Sequence, residues 1–304
     1  MSQAATRFAA VDYAAAMGVV VLWGLNFVAM KYALRDFTPF QLGAARYVVA
    51  ALPLVFLVRR PALPWKWLLL YGLCQGVGQF GFLFTALRVG MTASLASVLM
   101  QTQVFFTVIF SFLMLRERPG LRLISGLVLA AAALACFGVS VTVASGAAVA
   151  VTVVGLVLNL AAAAMWAVSN IVARRAQQSA NGPGGYDPVG FVVWSSLVPI
   201  LPFLLMSLWF DLPAEQMHWL QASWSGWLAV AYLGWLATVA AYALWTGLLK
   251  RHTANQVAPF SLGVPVVGLA AGMLALQESI TIWQWAGIAL VMAALASILL
   301  PRRR

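Results

Sequence analysis

Charged and titratable side chains are scarce in this sequence. Charged residues make up 8% of the 304 positions, with only seven Asp and Glu and two His, whereas hydrophobic residues make up 63%. A soluble protein of this length needs more polar surface, so the composition places the chain in a lipid bilayer. The net charge of +11 comes from short clusters of Lys and Arg between apolar runs rather than from one basic face, which argues against a nucleic acid partner.

Residue patterns that carry enzyme chemistry are also missing. The carboxylates and both histidines fall at the ends of apolar runs or between them, and no Walker-type loop, paired histidine motif or G-x-S-x-G elbow occurs. The two cysteines, Cys74 and Cys136, lie inside apolar runs and are interpreted as packing residues. The sequence therefore predicts no catalytic residue, no metal, no cofactor and no proton coupling through a carboxylate buried in the membrane.

What the sequence does contain is ten apolar runs, each close to the roughly 20 residues that cross a bilayer as a helix. The predicted spans are 13–33, 39–58, 65–87, 92–115, 121–143, 151–172, 189–210, 224–249, 254–276 and 282–300. The chain is thus predicted to be an all-α membrane protein with ten transmembrane helices. The lipid bilayer is its first partner.

The distribution of Lys and Arg predicts the orientation of these spans. With the N-terminus inside, fourteen cations lie in inner segments, three lie in outer connections, and Arg46 falls within the second span. Because cytoplasmic loops retain Lys and Arg, both termini are predicted to be cytoplasmic. In a bacterial cell this corresponds to the inner (plasma) membrane.

The second half of the chain repeats the first. The segment from Thr92 to Glu117 recurs from Thr253 to Glu278, 161 positions later, and Lys31 recurs as Arg174 with an offset of 143. Residues 1–145 and 146–304 would then hold five helices each. An odd number of helices forces the second half to enter the membrane from the opposite side, so the repeats are predicted to be inverted. Inverted repeats commonly build a transport site near the membrane midplane.

Polar and aromatic side chains inside the spans are the candidates for a site. An amide in hydrocarbon must find a partner, so it faces the bundle interior, where it either bonds a neighbouring helix or contacts substrate. Deep aromatic residues either pack the core or stack on substrate. The predicted substrate-binding residues are Asn26, Gln79, Gln101, Trp166, Asn170, Tyr242 and Trp245. Arg46 either attracts a carboxylate or has a structural role, and the structural role is favoured.

Two further features receive structural interpretations. The small-residue motifs Gly72-x-x-x-Gly76 and Gly268-x-x-x-Gly272 indicate close helix packing. Glu117 and Glu278, which are equivalent in the two halves, are predicted to cap the N-termini of the helices that follow them.

Three motifs carry a family resemblance over nearly the whole chain. WGLNF begins at Trp23, MTASLASVLMQTQVFFTVIFSFLMLRERPG begins at Met91, and APFSLGVPVVGLAAGMLALQE ends at Glu278. The sequence resembles the EamA branch of the drug/metabolite transporter superfamily, and within it the bacterial inner-membrane exporters of aromatic and other amino acids. The resemblance implies efflux through a central cavity lined here by Gln79, Gln101, Trp166, Tyr242 and Trp245. Gln79, Leu99 and Gln101 stand where such exporters are expected to have more aromatic side chains, which implies a broader or more polar preference.

The resulting functional hypothesis is a secondary transporter that exports amino-acid-like metabolites by alternating access. Its second partner is a small-molecule substrate, and a monomer is the working expectation. The alternatives are a proton-coupled multidrug exporter or another metabolite transporter of the same superfamily, an ion or water channel, and a noncatalytic assembly factor. A channel needs a continuous polar lining, of which this sequence offers only Arg46.

Overall fold

The fold is a bundle of ten helical segments, with one further 3₁₀ turn, His218–Gln221, before the eighth. The structure is a computed structural model that describes residues 8–52, 54–115, 121–143, 151–180, 186–252 and 257–299, and all regular secondary structure in these ranges is helical. The segments are α1 (Ala10–Ala33), α2 (Pro39–Ala51 and Leu54–Leu57), α3 (Trp65–Tyr71, Gly72–Phe80 and Gly81–Arg88), α4 (Ala93–Leu99, Met100–Thr102 and Gln103–Leu115), α5 (Leu121–Val143), α6 (Val153–Gln178), α7 (Pro188–Ser195 and Ile200–Phe210), α8 (Trp224–Ala231, Tyr232–Ala240 and Ala241–Arg251), α9 (Ala258–Leu262 and Gly263–Ala275) and α10 (Ile282–Leu299).

Length and hydropathy allow six of these helices to cross a membrane. They are 19 to 26 residues long, and at about 1.5 Å per residue they match a hydrocarbon core about 30 Å thick. Three shorter apolar helices, Ile124–Ser140, Phe260–Ala275 and Ile282–Ser297, accompany them. The predicted all-α membrane architecture is confirmed. The side on which the termini lie stays a prediction.

The predicted helix ends agree with the structure to within three residues except at α6. This helix continues to Gln178, six residues beyond the predicted end at 172. Residues 173–178 read ARRAQQ, which ends the apolar run without ending the helix, since Ala, Arg and Gln are good helix formers in water. The predicted start of the ninth span at 254 lies outside the described residues.

Side-chain caps define where several helices begin. Thr38, Thr92, Thr152, Asp187 and Ser223 each accept a hydrogen bond from the backbone N–H three residues later. The first N–H groups of a helix have no partner within the helix, and Ser, Thr and Asp side chains satisfy one of them. The helix starts are therefore fixed by short polar residues that immediately precede the apolar runs.

Equivalent helices of the two halves run antiparallel. Thr38, at the start of α2, donates to Asp211, just after α7, with an oxygen–oxygen distance of 2.6 Å. Trp194, in the first half of α7, donates to the carbonyl of Val58 beyond the other end of α2. Glu278, which follows α9, contacts the first residues of α4. The pairs α2/α7 and α4/α9 therefore have opposite directions, as the odd number of helices per half requires.

Each half departs from α-helical geometry at the same two places. Residues Gly72–Phe80 of α3 and Tyr232–Ala240 of α8 are π-helical, whereas Met100–Thr102 of α4 and Ala258–Leu262 of α9 are 3₁₀ turns. Irregular backbone is tolerated at membrane depth where it faces protein or a cavity, and π segments are frequent at functional sites. These four segments lie at the middle of the bundle, so its centre is the least regular part.

Glycines allow the helices around the centre to pack closely. A Cβ atom added at Gly76 of α3 would lie 2.0 Å from Pro199 of α7, and one added at Gly268 of α9 would lie 2.5 Å from the Cβ of Ser97 in α4. Only glycine fits at such distances, so both motifs have the packing role predicted for them. Helices α5 and α10 pack against each other, with Phe137 against Gly287.

Candidate functional site

A cavity of about 380 Å³ lies between the two halves of the bundle. Its described wall comes from α1 to α4, from α6 to α9 and from the residues before α7, whereas α5 and α10 contribute no lining residue. The wall is mainly apolar and aromatic, with a small number of amides, hydroxyls and one guanidinium. Sites for small molecules typically combine an apolar wall with a few polar groups in this way.

All seven sequence-predicted residues line this one cavity: Asn26 of α1, Gln79 of α3, Gln101 of α4, Trp166 and Asn170 of α6, and Tyr242 and Trp245 of α8. Asn26, Gln79 and Gln101 are buried, and the other four are half-buried. The structure thus brings together residues that are up to 219 positions apart in the sequence. That they contact substrate stays a prediction.

Aromatic rings form one side of the cavity. Trp23 of α1 lies 5.4 Å from Tyr242 and 5.5 Å from Trp245 of α8, measured between ring centroids. Its indole N–H donates to the carbonyl of Ala237 at 3.0 Å, which fixes the ring between the two helices. Pairs at these separations gain from edge-to-face and tilted contacts. The result is a connected aromatic surface rather than a set of separate side chains.

Amide groups link the helices that surround the cavity. Gln101 donates to the carbonyl of Ser261 at 3.0 Å, which joins α4 to α9. Asn170 donates to Gln103 at 2.9 Å, which joins α6 to α4. Gln75 of α3 accepts a bond from Ser169 and donates to the hydroxyl of Tyr242 at 3.3 Å. The sequence did not decide whether the amides of Gln101 and Asn170 bond a neighbouring helix or contact substrate. In the structure the amide nitrogen of each donates to a neighbouring helix.

Arg46 is the one charged residue among the described residues of the cavity wall. It is 3% exposed, its Nη2 donates to the hydroxyl of Thr238 at 2.9 Å, and its guanidinium carbon lies 3.8 Å from the centroid of the Phe80 ring. Its Nε and Nη1 have no hydrogen-bond partner among the described residues, and neither do Oδ1 of Asn26 and Oε1 of Gln79. Residues of the cavity wall therefore include donors and acceptors that no described residue satisfies.

The cavity reaches one end of the bundle. We call this the inner end, after the predicted topology; it carries residues 8–12, 58–65, 186–188 and 251–252. Tyr186, Pro188 and Phe191 line the cavity there. Burial raises the pKa of Tyr186 to about 12, so its phenol is neutral at physiological pH. Tyr186 and Phe191 are in ring contact, with centroids 4.4 Å apart. The cavity wall near the inner end is therefore aromatic and uncharged on this side.

The opposite end, which carries residues 33–38, 88–92, 211–223 and 276–281, is the outer end and is closed by hydrogen bonds. Lys31 of α1 donates to the carbonyl of Leu87 at 2.8 Å, and Arg88 of α3 donates to the carbonyl of Leu34 at 3.0 Å. Together they cross-link the ends of α1 and α3. Thr152 adds a bond from α6 to the carbonyl of Val89 at 2.7 Å.

Glu278 corrects a sequence-based prediction. It was predicted to cap α10, the helix that follows it, but its two carboxylate oxygens accept from the backbone N–H groups of Ala93 and Ser94 at 2.7 and 2.8 Å, at the start of α4. The start of α10 is instead capped by a reciprocal pair of bonds between Thr281 and Gln284, so Glu278 is not needed there. The equivalent residue, Glu117, lies outside the described residues.

A second charged group is buried at the inner end, away from the cavity. Asp12 of α1 pairs with His252, at 2.9 Å from Nε2, and with Arg251, at 2.9 Å from Nη2. The ring of Phe8 stacks on the imidazole with centroids 3.9 Å apart. Sequence position predicted only that Asp12 and His252 sit at span ends, and it missed that they meet. In the described part of the chain, no three metal-ligating side chains come together.

Sequence reasoning left several lining residues out of the predicted site. Gln75, Gln103 and Arg46 line the cavity but are not among the seven predicted substrate-binding residues. Their signal was present, since each interrupts an apolar run. Tyr71 and Tyr186 had no such signal because an aromatic residue near a span end is typical of the membrane interface.

Comparison with known sequences gives consistent relatives. The sequence profile of the EamA-like transporter family matches residues 12–139 and again residues 153–300. A "Probable amino-acid metabolite efflux pump" of Escherichia coli is 40% identical over 93% of this chain and 93% of its own length. A protein with the same name in Salmonella typhimurium is 41% identical over 92% of each chain.

A solved structure supports the fold independently. A crystal structure superposes with a TM-score of 0.60 at 20% sequence identity, and the match covers 96% of this chain and 97% of the other. At that identity the likeness concerns the fold alone. The sequence profile covers most of the chain in two matches, and the relatives at 40% identity extend over nearly all of it. The chain is therefore a member of the EamA-like transporter family.

Proposed function

We propose that this protein is a secondary transporter of the inner membrane that exports amino acids and related small metabolites. The observation that carries the proposal is the central cavity, whose wall combines amides, aromatic rings and one guanidinium from both halves of the chain. Its volume of about 380 Å³ falls in the lower part of the range for small-molecule sites, which suits one small metabolite. The names of the two relatives at 40% and 41% identity point to the same substrate class.

Alternating access is the proposed mechanism, with residues 1–145 and 146–304 as the two inverted units. The two ends of the bundle differ at equivalent positions. At the outer end Lys31 bonds the carbonyl of Leu87. At the inner end the equivalent residues are Arg174 and Leu248, and Arg174 is exposed with no hydrogen bond to Leu248 in the described residues. Exchange of these two arrangements would close the inner end and open the outer end.

The predicted aromatic or broader preference fits the composition of the wall. Trp23, Trp166, Tyr242 and Trp245 provide ring surface for an apolar side chain, and the amides suit a polar head group. No carboxylate lines the described part of the cavity, and a cationic drug would meet Arg46 rather than a counter-ion. This favours amino acids over the alternative of proton-coupled efflux of cationic drugs.

Counterflow in proteoliposomes tests the proposal. Purified protein is reconstituted into liposomes that contain one unlabelled amino acid of a panel. Entry of the same amino acid in labelled form is then followed with and without a pH gradient. Lipophilic drug cations are tested in the same way. We expect exchange of amino acids whose rate does not depend on the gradient. Exchange of drug cations that requires the gradient, with no exchange of amino acids, would replace the proposal by multidrug efflux.

A further inference from the structure

Arg46 occupies an unusual position for a charged side chain. It lies in the middle of α2, it is 3% exposed, and it lines the central cavity. Of the five N–H donors of a guanidinium, one is used, in the bond from Nη2 to Thr238. The atoms Nε and Nη1 have no hydrogen-bond partner among the described residues.

The described residues around Arg46 supply no counter-ion. Ion pairs in the described residues involve Asp12 and Glu215, both at the ends of the bundle, and neither pairs with Arg46. The other described carboxylates are engaged elsewhere: Asp36 with Ser223, Asp187 with Gly190, Asp211 with Thr38, and Glu278 with the start of α4. A buried cation without an anion is costly in a membrane protein, and such residues mark substrate or ion pathways.

Packing fixes the guanidinium rather than letting it move to the membrane surface. Its central carbon lies over the ring of Phe80, 3.8 Å from the centroid, and the hydroxyl of Thr238 accepts a hydrogen bond from Nη2. Thr238 is itself fixed, because its hydroxyl donates to the carbonyl of Leu233 within the π-helical part of α8. A guanidinium held in this way keeps the planar donor arrangement that suits a carboxylate.

Space for a ligand oxygen is present next to Arg46. The wall of a side chamber of about 20 Å³ includes Arg46, Gln75, Thr238 and Tyr242. Arg46, Gln75 and Tyr242 also line the main cavity. About 10–15 Å³ of such space accommodates one water molecule. The chamber is therefore large enough for a carboxylate oxygen that replaces a water.

The acceptors without partners complete the pattern. Asn26 and Gln79 line the same cavity, and their amide oxygens, Oδ1 and Oε1, have no hydrogen-bond partner among the described residues. Amide oxygens accept from a primary ammonium group, so the wall offers donors for an anionic group and acceptors for a cationic one. A zwitterionic α-amino acid carries both groups on one carbon atom.

We infer that Arg46 binds the carboxylate of the transported metabolite, so that a free carboxylate is required of every good substrate. This inference rests on the proposed function and names the feature that its substrates share. Asn26 and Gln79 receive the amino group, and the aromatic surface receives the side chain. Arg46 thus determines which class of compound is carried.

The test compares compounds that differ only in the carboxylate. Counterflow is measured for phenylalanine, phenylalaninamide and phenethylamine, which share one side chain, with the wild type and with Arg46→Gln. For the wild type we expect phenylalanine to be favoured over the other two by about tenfold to a hundredfold, the effect of one charge-assisted hydrogen-bonded contact. Arg46→Gln should reduce this preference to within about threefold, by loss of that contact.

Matched controls separate this effect from misfolding. Arg35→Gln makes the same change at an exposed arginine outside the cavity, where the guanidinium lies over Tyr32, and should keep the wild-type preference. Arg46→Lys keeps the charge without the planar geometry and should retain part of the preference. The preference is the ratio of the exchange rates of two compounds in the same proteoliposomes. The amount of folded protein therefore does not affect it.

The outcomes distinguish the inference from the proposed function. Failure of the wild type to exchange any amino acid would overturn the proposed function. Exchange of phenylalaninamide as fast as phenylalanine by the wild type would overturn the role of Arg46 and leave amino-acid-like export standing. The wild-type comparison decides this even if Arg46→Gln does not fold. An unchanged preference in a folded Arg46→Gln protein would also overturn it.

Discussion

Gln101 and Trp166 line the same cavity but contribute to it in different ways. The side-chain N–H of Gln101 bonds the carbonyl of Ser261 and so holds α4 to α9 beside the 3₁₀ turns of both helices. Trp166 has its ring at the cavity and its backbone carbonyl bonded to the hydroxyl of Ser169. One residue therefore contributes mainly to the shape of the site, and the other contributes surface.

Substitution of each residue by alanine is expected to give distinct results. Trp166→Ala removes aromatic surface and should lower amino acid flux by about threefold to tenfold, since one aromatic contact is worth about 0.5–1.5 kcal/mol. Gln101→Ala should also lower flux, and it should cost about 0.6 kcal/mol of stability, a typical value for an interhelical hydrogen bond in a membrane. Flux is measured in proteoliposomes, and stability is measured as the thermal midpoint in detergent.

Membrane insertion should be normal in these two variants, because each keeps its helix apolar. Trp219→Ala is a suitable control: this residue is exposed, outside the cavity and near the outer end. Wild-type flux in both Gln101→Ala and Trp166→Ala would remove the two residues from the site.

Individual cavity residues could be predicted from the sequence because polar atoms are costly in hydrocarbon. Asn26, Gln79 and Gln101 each interrupt an apolar run, and that signal alone predicts an inward-facing side chain. The signal does not say whether the partner is a helix or a ligand. The side-chain N–H of Gln101 donates to a carbonyl of α9, whereas Gln79 and Arg46 have polar atoms without a partner in the described part of the chain. That distinction depends on distances across helices, which no single segment contains.

At the scale of the helix, the contact between Glu278 and α4 shows how capping acts across the inverted halves. The carboxylate accepts from two backbone N–H groups at the start of α4, where the helix dipole also favours negative charge. The sequence rule assigned Glu278 to the nearest following helix, because capping is usually local. In the structure Thr281 and Gln284 already cap that helix, so the carboxylate reaches the other half.

Removal of this contact is expected to loosen the outer end. Glu278→Ala leaves two N–H groups of α4 without their partner and should destabilise the protein by about 2 kcal/mol, the upper range for a lost N-terminal cap. Glu278→Gln retains one acceptor oxygen and should fall between the alanine variant and the wild type. The thermal midpoint, followed by gel filtration with fluorescence detection, measures the difference.

Glu215→Ala provides the comparison for a carboxylate at the same end. Glu215 pairs with the half-exposed Arg88 at 3.3 Å, and exposed ion pairs contribute about 0–1 kcal/mol. We therefore expect a smaller change than for Glu278→Ala. Equal changes for the two variants would contradict the assignment of Glu278 as the capping residue of α4.

At the scale of the whole molecule, the contacts between the two halves follow the same pattern in both directions. Helices α2, α4 and α5 pack against their equivalents α7, α9 and α10. Helix α1 packs along α8 and α9, and α6 packs along α3 and α4 in the same way. The antiparallel arrangement followed from the sequence, because five helices per half is an odd number. Which end is closed did not follow from it, since both ends carry equivalent residues and only their contacts differ.

The inverted halves make the opposite conformation predictable. In this structure Lys31 bonds Leu87 at the outer end, whereas the equivalent Arg174 is exposed at the inner end. In the outward-open state we expect the bond from Lys31 to be broken and Arg174 to bond Leu248. The ends of α1 and α3 should therefore separate while the inner parts of α6 and α8 approach.

Spin labels measure these two movements in one experiment. After replacement of Cys74 and Cys136 by alanine, one variant carries labels at positions 35 and 89 and the other at positions 175 and 244, all of which are exposed. During exchange of amino acids in liposomes, the first distance distribution should gain a longer component and the second a shorter one. Because the halves are inverted, the two changes must have opposite signs; changes of the same sign, or a change at one end alone, would contradict alternating access between these halves.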